Sequence, residues 1–96
     1  MKLFNDLKFE PHSLSNEIEQ LSRAKRASEK FENGYGVSVL FGSAFYSNGI
    51  NTYEVAVLYE GEVCYSTDIT DDVMSNLSEQ EVSEVMTRIQ NLKTPQ

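Results

Sequence analysis

The spacing of hydrophobic side chains changes along the chain, and each change marks a candidate element. Residues 1–12 carry Leu3, Phe4, Leu7 and Phe9 ahead of Pro11, a pattern that suits either one helical turn or an extended arm. Beyond it, Leu14, Ile18 and Leu21 recur at helical spacing, and Glu19 stands four residues before Arg23. With Ser13 or Ser15 as N-cap, this predicts a helix from about Leu14 to Lys25 within a helical segment 13–25.

From there the period becomes alternating, and an antiparallel sheet is expected over 26–66. Phe31, Tyr35, Val37, Val39 and Phe41 all fall on odd positions. Register selects the turn between the first two strands. A two-residue Asn33-Gly34 turn would point Phe31 away from the Val37 and Val39 face. A three-residue loop, Glu32-Asn33-Gly34, instead pairs Phe31 with Tyr35 and places Gly34 in the left-handed position of a bulge turn. The segment Gly42 to Thr52 is rich in Gly, Ser and Asn and long for a hairpin loop, with Phe45 and Tyr46 inside it. A second hairpin follows, turning at Glu60-Gly61, pairing Leu58 with Val63 and Ala56 with Tyr65. This leaves Tyr53, Val55, Val57, Tyr59 and Cys64 on the opposite side. Both faces of the sheet are then apolar, and the second needs a helix or a partner to cover it.

The last third, 70–92, reads as helical. Thr70 or Asp71 can cap a short helix through Val73, Met74 and Leu77, and Ser78 with Glu81 forms a capping box that opens a second helix to about Leu92. Val82, Val85, Met86, Ile89 and Leu92 make its apolar side. The expected fold class is α+β: a single domain over 1–96, built on a four-stranded antiparallel meander with an N-terminal and a C-terminal helix packed on the sheet.

Charge adds an asymmetry that the hydrophobic pattern does not show. The chain of 96 residues has 8 Lys+Arg against 15 Asp+Glu, a formal net charge of -7. No Lys or Arg occurs between Phe31 and Thr87. Such a balance argues against bulk attraction to nucleic-acid phosphates or an anionic membrane. One cysteine, Cys64, and one histidine, His12, cannot form an internal disulfide or a Cys/His zinc site, which favours a reducing, cytoplasmic setting. The opening residues carry no signal-peptide run, and no apolar stretch reaches membrane-spanning length.

The run Phe31-Glu32-Asn33-Gly34-Tyr35-Gly36-Val37-Ser38-Val39, then Tyr53-Glu54-Val55-Ala56-Val57-Leu58, Cys64-Tyr65-Ser66-Thr67 and Ile69-Thr70-Asp71-Asp72-Val73, followed by Leu77 and Glu81-Val82, resembles a group of small uncharacterised proteins encoded by tailed bacteriophages and prophages. The likeness covers roughly residues 31–92. It implies a phage origin and a place in the bacterial host cytoplasm, and it transfers no catalytic residue. Small acidic phage proteins often act on host machinery, including nucleic-acid-binding defence systems such as CRISPR nucleases, an association rather than a property of these motifs.

Candidate chemistry is sparse. Thr67-Asp68-Ile69-Thr70-Asp71-Asp72 could offer oxygen ligands to Mg²⁺ or Ca²⁺, but a strand-to-helix turn with capping side chains explains it better, so no metal or cofactor is expected. No element read from the pattern places an orienting group or nucleophile near His12, and Cys64 reads as a small core hydrophobe. No enzyme is therefore expected. Arg23, Lys25, Arg26 and Lys30 form a basic patch interrupted by Glu29 and Glu32, read as a solvated face rather than a nucleic-acid site. The acidic residues Glu54, Glu60, Glu62, Asp68, Asp71 and Asp72, with the aromatics Phe45, Tyr46, Tyr53 and Tyr59, are the expected partner-binding set. Carboxylates would steer toward a basic surface on a host protein and tyrosines would supply buried area, while the plainer reading makes Tyr53 and Tyr59 packing residues of a strand and the acidic run a source of solubility. The alternative is a self-associating accessory protein whose second sheet face is closed by a homodimer.

Overall fold

A computed structural model of the chain describes residues 1–12, 17, 19, 23–42, 51–64, 66, 67, 69 and 73–93. A 3-10 turn at Phe4–Asp6 leads into β1 (Glu10–Pro11), followed by β2 (Lys25–Lys30), β3 (Tyr35–Phe41), β4 (Tyr53–Tyr59), β5 (Glu62–Val63), β6 (Met74–Leu77) and α1 (Glu79–Gln90). The strands form one antiparallel sheet in the order β1-β2-β3-β4-β5, and β6 pairs with β4. The class is α+β, as expected, with more strands and fewer helices among the described residues than the sequence suggests.

Both hairpin registers follow from their turns. Lys30 lies opposite Gly36 and the Phe31 amide donates to the Tyr35 carbonyl at 2.8 Å, so the loop is the three-residue one, with Gly34 at φ 87°. A Cβ on Gly34 would meet Tyr59 and Glu60 side-chain atoms at 3.2 Å, so its positive φ and the close approach both favour glycine. In the second hairpin Leu58 faces Val63 and Tyr59 faces Glu62 across Glu60-Gly61. The expected Ala56 to Tyr65 pair lies outside the described residues.

These registers place Val37, Val39, Val55 and Val57 on one face, where α1 closes over them. Val82, Val85, Met86 and Ile89 are its buried positions, and seven side chains of this layer are essentially inaccessible to solvent. The helix begins where the capping box puts it. Glu81 N–H donates to the Ser78 hydroxyl at 3.2 Å, and Ser78 N–H donates to the Glu81 carboxylate at 3.0 Å. Leu92 packs against the core just beyond the helix end.

The N-terminal helix is not matched. Of the residues expected in it, Leu14, Ile18 and Leu21 lie outside the described residues, Arg23 sits in a turn, and Lys25 opens β2. The physical reason lies in the alternation that starts earlier than expected. Ala27 and Phe31 are buried on the core face, Arg26, Ser28 and Lys30 are exposed on the alternate positions, and the segment pairs with β3 along its whole length.

The short helix through Val73 and Leu77 is likewise replaced, by β6. Thr70, Asp71 and Asp72 lie outside the described residues. Met74 faces Val55 and Leu77 faces Tyr53, a register that shifts by one residue between the two pairs. Asn76 takes up the shift at φ 56°, as Asn tolerates. A bulge brings residues three apart to one face of a strand, which imitates helical spacing.

Residues 1–9 are not a free arm: they contain one helical turn, the 3-10 turn Phe4–Asp6, packed against the core. Phe4 and Phe9 stack around Tyr53 at ring separations of 5.1 and 5.7 Å, with Phe41 on the same ring at 5.4 Å, and Leu7 is buried. The segment is also tied to α1. Phe4 N–H donates to the Ser83 hydroxyl, while the Gln90 amide accepts from the Lys2 N–H at 2.9 Å and donates to its carbonyl at 2.7 Å.

Candidate interaction surface

The Glu60-Gly61 turn is the best defined part of the expected partner-binding set. Glu60 at φ 51° and Gly61 at φ 86° give two successive left-handed residues, the type I′ arrangement that matches the twist of a two-residue hairpin. Glycine enters this conformation without a steric cost, whereas Glu60 does so against its own Cβ. The turn is braced against the first hairpin, since Glu60 N–H donates to the Gly34 carbonyl at 3.1 Å. Lys30 Nζ lies 3.7 Å from Glu60 Oε2, an exposed pair that contributes little on its own. Glu62 is exposed one residue beyond the turn. Two carboxylates therefore project from one rigid tip.

Glu54 does not join them. It lies near the other end of β4, opposite Leu40, half-buried and roughly 20 Å along the strand from Glu60 at about 3.3 Å per residue. Asp68, Asp71, Asp72, Phe45 and Tyr46 lie outside the described residues.

The two described tyrosines of the set serve the core. Tyr53 is buried at the centre of the Phe4, Phe9 and Phe41 cluster, and burial pushes its hydroxyl above the ordinary pKa, with Glu79 adding to the effect. Tyr59 is half-buried against Tyr35 at 4.9 Å between ring centres. Tyr35, in turn, has its hydroxyl pushed up by burial first and by Cys64 and Tyr59 second. Cys64 packs against the core, as a small hydrophobe would, with its sulfur 3.5 Å from the Ser66 hydroxyl. His12 is half-buried, with its backbone N–H donating to the Ala24 carbonyl.

The second face of the sheet carries Arg26, Ser28, Ser38, Leu40, Glu54, Ala56 and Leu58, and α1 packs on the opposite side. A shallow groove of about 280 Å³ runs along it, from Glu10 and His12 past Ser28 and Ser38 to Leu58. Leu40 and Leu58 are half-buried and Val63 is 43% exposed.

The sequence reading missed the role of Asn33. Its amide donates to the Ile89 and Leu92 carbonyls at 2.9 and 3.0 Å, and its oxygen accepts from Tyr35 N–H at 3.1 Å. One side chain thus joins the first hairpin's turn to the end of α1. The only local signal is an Asn before Gly, which reads as a turn residue and says nothing of a partner so distant in sequence.

No protein-family model, curated protein or solved structure matches the chain. Among the described residues no helix is long and apolar enough to cross a membrane.

Proposed function

We propose that the protein acts by binding rather than by catalysis: a small acidic, phage-encoded protein of the bacterial host cytoplasm that docks its carboxylates on a basic host-protein surface and modulates or inhibits that protein. A nucleic-acid-binding defence protein fits this description, in the manner of an anti-CRISPR protein. The observation that carries the reading is Glu60. A charged side chain occupies a left-handed position where Asn or Gly would sit with less strain, in a braced turn that presents Glu60 and Glu62 outward. Strain retained at an exposed charged position points to a role for the charge. The stretch without Lys or Arg from Phe31 to Thr87 keeps the field around that tip one-signed apart from Lys30, which favours encounter with a cationic surface.

The test separates charge from folding. Glu60→Asn creates an Asn-Gly turn and is expected to stabilise the hairpin by about 0.5 kcal/mol. In an affinity capture from bacterial lysate, the wild-type chain is expected to retain a basic protein that is released by salt. Glu60→Asn with Glu62→Gln is expected to lose it while melting no lower than wild type. Capture that is indifferent to both salt and the double substitution overturns the reading.

A second reading is a self-associating accessory phage protein, favoured by the half-buried Leu40 and Leu58 on the sheet face away from α1. Light scattering decides it: a dimer at micromolar concentration supports it and a monomer removes it.

A further inference from the structure

The outer edge of β2 is the one place where the fold interrupts a hydrogen-bonding ladder among the described strands and sets an open cleft beside it. Phe31 N–H bonds the Tyr35 carbonyl, so Ala27, Glu29 and Phe31 turn their backbone groups toward β3. Arg26, Ser28 and Lys30 then turn theirs outward. On that side β1 meets only Lys25 and Arg26, with the His12 amide continuing to Ala24. Extended in the same register, Lys8 and Asp6 would fall opposite Ser28 and Lys30. The chain departs instead, because Phe9 and Phe4 are drawn to Tyr53, Leu7 is buried, and the 3-10 turn packs on α1 and not on β2. The N–H and C=O groups of Ser28 and Lys30 are left facing away from the sheet with no described strand beside them.

Charge indicates what fits there. In a chain of net charge -7, β2 itself carries Lys25, Arg26 and Lys30 against one acid, Glu29. Where the open edge ends at Lys30, a cleft of about 730 Å³ begins, lined by Lys2 and Lys30, by Met1 and Phe31, and by Asn33, Gln90 and Glu32, so two ammonium groups stand there against one carboxylate. Lys2 is hydrogen-bonded to Glu29, and Lys30 approaches Glu60 at the solvent surface. A residue of an added strand opposite Phe31 would lie over this cleft on the core side of the sheet.

We propose that the Ser28–Lys30 edge takes up an extended acidic segment of another protein as an additional strand, with a carboxylate held between Lys2 and Lys30. A second copy's β2 is a poor occupant. Centring two antiparallel copies on Ser28 sets Arg26 against Lys30, and shifting them to pair Ser28 with Lys30 sets Glu29 against Glu29. The proposal concerns a basic edge and stands independently of the acidic tip.

The test uses the full chain and two short synthetic peptides, one alternating threonine with glutamate and one alternating threonine with lysine. Backbone amide shifts and hydrogen exchange are followed by NMR. With the glutamate peptide, Ser28 and Lys30 amides are expected to shift and become protected, while Ala27 and Glu29 are protected throughout. The lysine peptide is expected to bind about tenfold more weakly or not at all, since like charges across a strand pair repel. Ser28→Pro removes only the outward donor, which an edge strand tolerates, and is expected to abolish the response. Lys30→Glu, which leaves the backbone intact, is expected to weaken it about tenfold by charge reversal. Absence of shifts, shifts centred elsewhere, or equal binding of the two peptides overturns the proposal. Protection of the same amides that grows with protein concentration alone would assign the edge to a second copy and overturn the acidic occupant.

Discussion

Asn33 ties the turn of the first hairpin to the end of α1. Its amide satisfies two carbonyls at the end of α1, and its oxygen fixes the start of β3. Removing it leaves those carbonyls without that donor, at a cost of about 1 kcal/mol per hydrogen bond. Asn33→Ala is therefore expected to lower stability by about 2 kcal/mol, read as a drop in the urea midpoint at unchanged slope. Asn33→Asp is expected to be worse, because a carboxylate cannot donate to carbonyls and its charge faces the negative end of the helix. Tyr35 and Tyr53 set a second residue-scale expectation. Both hydroxyls are held above the ordinary value of 10.0, mainly by burial. A raised pKa means the folded state binds the proton more tightly, so its contribution is complete below the unfolded value. It is lost as pH rises through the folded one. Unfolding on the alkaline side is expected to begin above about pH 10, with phenolate absorbance from these tyrosines appearing together with loss of structure. Tyr53→Phe, which keeps the ring and removes the proton, is expected to shift that transition upward.

Elements whose signals are local were the legible ones. The Ser78 and Glu81 box specifies the start of α1 within a few residues, and its two hydrogen bonds close. Ser78→Ala is expected to cost about 1 kcal/mol in chemical unfolding. Glu81 adds a sign. Bonding to the Ser78 backbone amide, and then to its side chain, holds its carboxyl below 4.5. A lowered pKa contributes stability above the unfolded value that fades as pH falls through the folded one. Helicity at the N-terminal turn is expected to decline below about pH 4.5, and Glu81→Gln, which can still accept from Ser78, is expected to flatten that dependence. The hairpin registers were legible for the same reason, since parity and turn length act over a few residues. β6 was not, because the bulge at Asn76 gives Met74 and Leu77 a helix-like spacing that only pairing with Val55 and Tyr53 resolves. Nor was the opening segment, whose Phe4 and Phe9 find their partner in Tyr53, far along the chain. Alternation along β4 already put Tyr53 on the face of Val55 and Val57, and the rings it touches, Phe4, Phe9 and Phe41, come from elsewhere in the chain. Of the candidate surface, the Glu60-Gly61 turn was legible, while the separation of Glu54 from it depends on the length of β4.

At the scale of the molecule the governing quantity is the uneven placement of charge. Among the described residues the ion pairs Lys2 with Glu29, Arg26 with Glu10 and Lys30 with Glu60 lie around β2 or its neighbours. Among the described residues Glu62 lies at the Tyr59 end of β4, and Glu79, Glu81 and Glu84 lie on the first turns of α1 toward the Tyr53 end, all within a stretch with no Lys or Arg before Arg88. Like charges repel, and the repulsion reaches across the molecule at about 0.01 M salt, where the screening length is about 30 Å, but vanishes near 1 M, where it is about 3 Å. Moderate salt is therefore expected to raise the melting temperature. Two substitutions at one turn discriminate this from a generic salt effect. Glu62→Lys removes a repelling charge and sets a cation beside Glu60, and is expected to stabilise by a few tenths of a kcal/mol to about 1 kcal/mol at low salt, with no gain at high salt. Glu60→Lys makes the same change in net charge but confronts Lys30, whose ammonium stands 3.7 Å from the carboxylate it replaces, and is expected to give no gain. Equal gains from both, or gains that persist at high salt, would remove the argument from charge placement. If Glu62→Lys stabilises the fold and also abolishes capture of a basic partner, then the wild-type residue lowers stability at the position where it serves binding, which is the trade expected of a surface kept for recognition.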